Sequence, residues 1–174
     1  MSALPSEHLA YLELLHRLQS HGVRFALTGS FALRLLMDAL GGEPVPDCDL
    51  LLEPSVDNLQ RWAALLVEEG WALAVWNEPV GVPLEFETLR GKYYVRARKG
   101  SLVLDGTYEH DTLGIGALVS EARMSHGLPV MDLDTLLALK RGGAPRGSRA
   151  GGAGGTLAAR APGAVGSAAS SGQE

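Results

Sequence analysis

The chain carries a single cysteine, Cys48, in 174 residues. One thiol excludes an internal disulfide and any zinc cage built from cysteines. Long apolar runs are missing too, since none reaches the ~20 residues that span a bilayer. The segment Met1 to Glu7 has no basic stretch leading into an apolar core, so no secretory signal is expected. These absences imply a soluble, cytoplasmic protein with no membrane partner. A basic surface is also lacking over most of the length. Residues 1–140 hold 11 Lys+Arg against 19 Asp+Glu, whereas residues 141–174 hold 4 against 1. Broad binding to a nucleic-acid backbone needs the opposite sign, although a local basic groove stays compatible with this balance.

What is present suffices for one domain with a real core. Residues 1–141 are expected to form it. The last 33 residues contain 10 Gly and 9 Ala and few large apolar side chains. Such a segment buries too little surface to offset its ordering entropy, so residues 142–174 are expected to be a disordered tail. The break interrupts a helix-compatible run, which motivates the hypothesis of an altered reading frame in a GC-rich gene. Translating the other two frames tests it, and the absence of an amphipathic helical continuation in both would reject it.

Within the domain, Ser6 is expected to cap a helix striped by Leu9, Leu12, Leu15 and Leu18 and stopped by His21-Gly22. Val23 to Thr28 reads as a buried strand. Phe31, Leu35, Leu36 and Leu40 suit a second helix ended by Gly41-Gly42. Cys48 to Leu52 reads as a strand, and Ser55 as the cap of a helix over about Val56 to Glu69, ended by Gly70. Trp71 to Trp76 follows as a strand. Leu84 to Leu89, Tyr93 to Arg98 and Ser101 to Asp105 read as short strands paired antiparallel through tight turns. A short helix near Ile115 to Val119 and an extended Leu128 to Met131 precede a helix capped by Asp132 and running to Lys140.

Two elements carry chemistry. In the strand that follows Pro46, side chains two residues apart share a face, so Asp47 and Asp49 project together while Cys48 points away. Adjacent carboxylates repel unless a cation lies between them, and such pairs commonly hold Mg²⁺. Upstream, Gly29-Ser30 stands where a strand gives way to a helix. Glycine lets a phosphate approach the backbone, and the helix N-terminus favours its charge.

In order and spacing, Leu27-Thr28-Gly29-Ser30 followed by Asp47-Cys48-Asp49-Leu50 resembles the nucleotidyltransferase superfamily with the DNA polymerase β-like fold. The family pattern is hydrophobic-Gly-Gly/Ser, a gap, then Asp-hydrophobic-Asp/Glu-hydrophobic. Its third carboxylate, on a later antiparallel strand, is best matched by Asp105. The segment Gly127 to Lys140 also looks like one common in bacterial stand-alone nucleotidyltransferase-like proteins, some of them in toxin–antitoxin systems. The resemblance covers about residues 22–140. Two departures stand out: Pro46 replaces a small hydroxyl residue, and the chain after Lys140 lacks the expected helix of mixed charge.

The resemblance implies an α+β fold with a mixed, mostly antiparallel sheet flanked by helices. It implies transfer of a nucleoside monophosphate from an NTP, such as ATP, to a hydroxyl. Asp47 and Asp49 would bind Mg²⁺ with the triphosphate, Asp105 would complete a second metal position and activate the acceptor, and Gly29, Ser30 and Lys140 would hold phosphates. RNA, a protein hydroxyl and a small molecule remain open as acceptors. Two other readings stand beside this one: a catalytically inactive relative serving as a nucleotide-binding or interaction module, and a glycosyltransferase using Asp-x-Asp. The glycosyltransferase reading leaves Gly29-Ser30 without a role.

The remaining candidates have plainer explanations. Tyr93, Tyr94, Arg96, Arg98 and Lys99 form a basic-aromatic strand that could meet RNA or be an ordinary half-solvated edge. Trp62, Trp71 and Trp76 are expected in the core, an ordinary turn at Asp105-Gly106 stands as the equal alternative to the carboxylate role of Asp105, and His110, Asp111 and His126 lack metal-ligand spacing.

Overall fold

Helices and strands alternate because the apolar spacing switches between the helical and the strand period. In the computed structural model, which describes residues 3–141, the elements begin with α1 (Ser6–Ser20), β1 (Phe25–Thr28), α2 (Gly29–Leu36), β2 (Cys48–Leu52) and α3 (Val56–Glu68). They continue with β3 (Ala72–Val75), β4 (Glu78–Val80), α4 (Phe86–Leu89), β5 (Tyr94–Lys99) and β6 (Leu102–Thr107). The last are α5 (Ile115–Ser120), β7 (Arg123–Ser125), β8 (Leu128–Val130) and α6 (Leu133–Lys140). The expected tail, residues 142–174, lies outside the described residues.

The strands form one sheet in the order β4-β3-β5-β6-β2-β1-β8-β7. β2 with β6 and β1 with β8 run parallel, and the other pairs run antiparallel. This is the mixed, mostly antiparallel α+β arrangement expected. The third-carboxylate strand, β6, is antiparallel to β5 but parallel to β2.

One face of the central strands packs on α3. A Cβ on Gly106 would lie 2.6 Å from Leu52 Cδ1 and 2.8 Å from Trp62 Cζ2, so only glycine fits there. That close approach corrects the reading of Asp105-Gly106 as a turn: β6 runs on through Thr107, and Asp105 sits inside it. α1 seals the sheet where β2 has not yet begun. There the Tyr11 hydroxyl donates to Val103 O at 3.1 Å and accepts from Val103 N at 3.0 Å.

Several expectations need correction. Leu84 to Leu89 is not a strand. Leu84 donates its N–H to Gln60 Oε1 at 2.8 Å and accepts from Gln60 Nε2 at 2.9 Å, so an α3 side chain supplies the bonds of a ladder partner. Phe86–Leu89 then turns as α4. The second helix ends at Leu36, because Asp38 takes a left-handed φ of 52°, which leaves Leu40 in the following loop. Ser6 opens α1 without capping it; Pro5 occupies the cap position. Asp132 holds the cap position of α6 without a side-chain capping bond. Trp76 is 38% exposed, not core: with Asn77 it forms the left-handed turn into β4, beneath the Lys92 ammonium.

Candidate active site

Strand register, more than local sequence, builds the site. Thr28 lies opposite Asp49, Asp49 opposite Asp105, Asp105 opposite Arg96, and Arg96 opposite Ala74. Cross-strand partners share a face, so these side chains form one row on the side opposite α3. Asp47 stands two residues before Asp49, next to this row. One carboxylate oxygen from each of Asp47, Asp49 and Asp105 lies within 4.8 Å of the others. Cys48 points into the core, fully buried, where burial and the neighbouring carboxylates push its thiol well up, so it stays a neutral packing group.

Gly29 explains how a helix can start against these carboxylates. Its φ is +72°, and a Cβ there would stand 2.3 Å from Asp49 Oδ2. Backbone conformation and space both demand glycine. The N-terminus of α2, with Ser30, therefore lies against Asp49. Lys140, at the end of α6, donates from Nζ to Ser30 Oγ at 3.0 Å, which brings a residue 110 positions away to the same corner.

The loop into Asp47 is anchored by His8, which is fully buried. Its Nδ1 meets Leu40 O at 2.7 Å and its Nε2 accepts from Val45 N at 3.0 Å. A carbonyl on one nitrogen and an N–H on the other assign the neutral ring with the proton on Nδ1. No sequence pattern marked His8, since its partners come from a loop more than 30 residues away.

The electrostatics favour a cation. Asp49 is pushed up to about 7, first by burial and then by the charges of Asp47 and Asp105. Asp47 is raised by the same kinds of cause, with Arg96 and Lys140 opposing. Asp105 is clasped side-on by Arg96, with Nε to Oδ1 and Nη2 to Oδ2 both at 2.8 Å. That bond raises the already high Arg96 pKa further. A charge-rich, oxygen-only donor set suits a hard divalent ion such as Mg²⁺. The crowding that lifts Asp49 is what such an ion would relieve.

Of the residues expected at a site, Asp47, Asp49 and Asp105 meet, and Gly29, Ser30 and Lys140 border them. Arg96, expected either at an RNA contact or on a half-solvated edge, has Asp105 as its partner. The signal was present, because a two-residue turn at Gly100-Ser101 pairs Lys99 with Leu102 and hence Arg96 with Asp105. Of the other candidates, Tyr93 donates its hydroxyl to Asp111 Oδ1 at 2.9 Å. His110 Nδ1 accepts from the backbone of Thr112 and Leu113, and His126 Nε2 pairs with Asp38 at 3.0 Å. Among the described residues no helix is long and apolar enough to cross a membrane.

No protein-family model matches the sequence, and no curated protein matches it. Solved structures do. ANT(2")-Ia in complex with adenylyl-2"-tobramycin is similar at 12% identity and TM-score 0.51, over 79% of this chain and 75% of that one. JHP933 from Helicobacter pylori is matched at 14% identity and TM-score 0.41, over 80% of this chain and 57% of that one. With its mixed sheet and flanking helices superimposed on ANT(2")-Ia, the chain has the fold of the nucleotidyltransferases.

Proposed function

We propose that the chain is a Mg²⁺-dependent nucleotidyltransferase that transfers a nucleoside monophosphate from an NTP to an acceptor hydroxyl. The observation that carries this reading is the convergence of Asp47, Asp49 and Asp105 beside the Gly29-Ser30 start of α2. ANT(2")-Ia, with the same fold, is described with an adenylated product, which is the same class of transfer.

Asp47 and Asp49 would hold the divalent ion together with the triphosphate, and the ion would supply charge neutralisation at the phosphate oxygens of an in-line displacement. Ser30, its neighbouring backbone N–H groups and Lys140 hold the β- and γ-phosphates at the positive end of α2. Asp105 accepts the hydrogen bond of the acceptor hydroxyl and takes its proton as the oxygen bonds to the α-phosphorus. The bond between the α-phosphorus and the bridging oxygen breaks, and pyrophosphate leaves. Incubation with α-labelled NTPs, Mg²⁺ and a cell extract tests the reading. Label should move to an acceptor, and transfer that is absent, or equal with Asp49→Ala, would refute it.

One observation favours the non-catalytic alternative, a nucleotide-binding module: both oxygens of Asp105 are engaged by Arg96. Calorimetry would then show ATP–Mg²⁺ binding without turnover.

A further inference from the structure

The two cations next to the three carboxylates are not equivalent. Lys140 is tied to Ser30, on the phosphate side of the site. Arg96 is fixed on Asp105 by a side-on fork, and strand register holds the two residues opposite each other across β5 and β6. Asp105 is 7% exposed, and its side-chain oxygens are taken up by that fork. Each carboxylate oxygen offers two lone-pair directions. A side-on fork fills the in-plane position between the two oxygens, which is where an ion chelated by both would sit, so the guanidinium and a chelated ion exclude each other there. A second dication beside it would also face the guanidinium, a fixed like charge that never deprotonates. Among the described residues, Asp47 and Asp49 have no such partner on their carboxylates.

We propose that Arg96 is the built-in second cation of this site: it holds Asp105 where a second metal would otherwise bind, so the chain takes one divalent ion, on Asp47 and Asp49. The proposal rests on the metal-binding reading given above. It makes Arg96 a positioning residue, which holds Asp105 turned toward the acceptor side. It also divides the labour within the cluster, with two carboxylates for the ion and the third for the hydroxyl.

Binding of Mn²⁺ alone to the full chain, followed by electron paramagnetic resonance and calorimetry, tests this without any turnover. Wild type should bind one ion. Arg96→Gln, checked for folding by thermal unfolding, should gain a second ion by freeing Asp105. Asp105→Asn should keep the single ion with its affinity changed less than about threefold, whereas loss of a metal ligand would cost more than about tenfold. Two ions in wild type, one ion in folded Arg96→Gln, or a tenfold loss in Asp105→Asn would overturn the role of Arg96 while leaving the metal reading standing. No ion in wild type would overturn both. If Arg96→Gln does not fold, the wild-type stoichiometry and Asp105→Asn still decide.

Discussion

A Cβ placed on Gly29 would stand 2.3 Å from Oδ2 of Asp49, so the start of α2 and the second carboxylate of β2 occupy adjoining space that only glycine leaves open. Gly29→Ala should therefore move Asp49 and strain a backbone at φ +72°. Stability should fall by about 2 kcal/mol, from left-handed strain with a steric contribution. Mn²⁺ affinity should fall with it. Urea denaturation and a Mn²⁺ titration check this, and an unchanged midpoint with unchanged affinity would contradict the geometry.

Asp49 makes the metal-free protein sensitive to pH. Its folded pKa of about 7 lies above the ordinary value of 3.8, so the folded state holds a proton that the unfolded state has already lost. The unfolded chain binds fewer protons between those values, and stability falls as pH rises from about 4 through 7. The full effect is on the order of 4 kcal/mol above that window. In chelator, wild type should be less stable at pH 8 than at pH 5, and Asp49→Asn should remove most of the difference. A flat wild-type profile would show that Asp49 is not raised.

Lys140→Ala should weaken NTP binding about tenfold, the cost of one charge-assisted contact to phosphate. Mn²⁺ binding without nucleotide should not fall, because Lys140 bonds Ser30 and its charge near the carboxylates only repels a cation. Calorimetry with and without nucleotide separates the two, and an equal loss in both would contradict the placement of Lys140.

Gly106→Ala should cost about 1–3 kcal/mol through overpacking against Trp62 and Leu52. A chemical-denaturation midpoint equal to wild type would show that α3 can yield.

The sequence made some of this legible and hid the rest for identifiable reasons. Asp47, Asp49, Gly29 and Ser30 could be read because their placement depends on local periods: alternation in β2, and a strand turning into a helix. Leu84 to Leu89 has a strand's composition without being one, because Gln60, from another element, supplies the bonds that a neighbouring strand would make. The β3–β4 hairpin carries no sequence signal because its left-handed turn uses Trp76 and Asn77, not the usual Asn-Gly. Asp105-Gly106 has the composition of a turn, and only the depth of Trp62 shows why a glycine belongs inside β6. The pairing of Arg96 with Asp105 is marked only by the short Gly100-Ser101 turn between β5 and β6. His8 is hidden most deeply, because its partners come from a distant loop that no single segment reveals.

The most direct test of the proposed chemistry compares ATP labelled on the α-phosphate with ATP labelled on the γ-phosphate, each given with Mg²⁺ and cell extract. The α-label should pass to an acceptor while the γ-label leaves as pyrophosphate, and Asp49→Asn should abolish the transfer. Retention of the γ-label on an acceptor, or α-label transfer undiminished in Asp49→Asn, would contradict nucleotidyl transfer at this site.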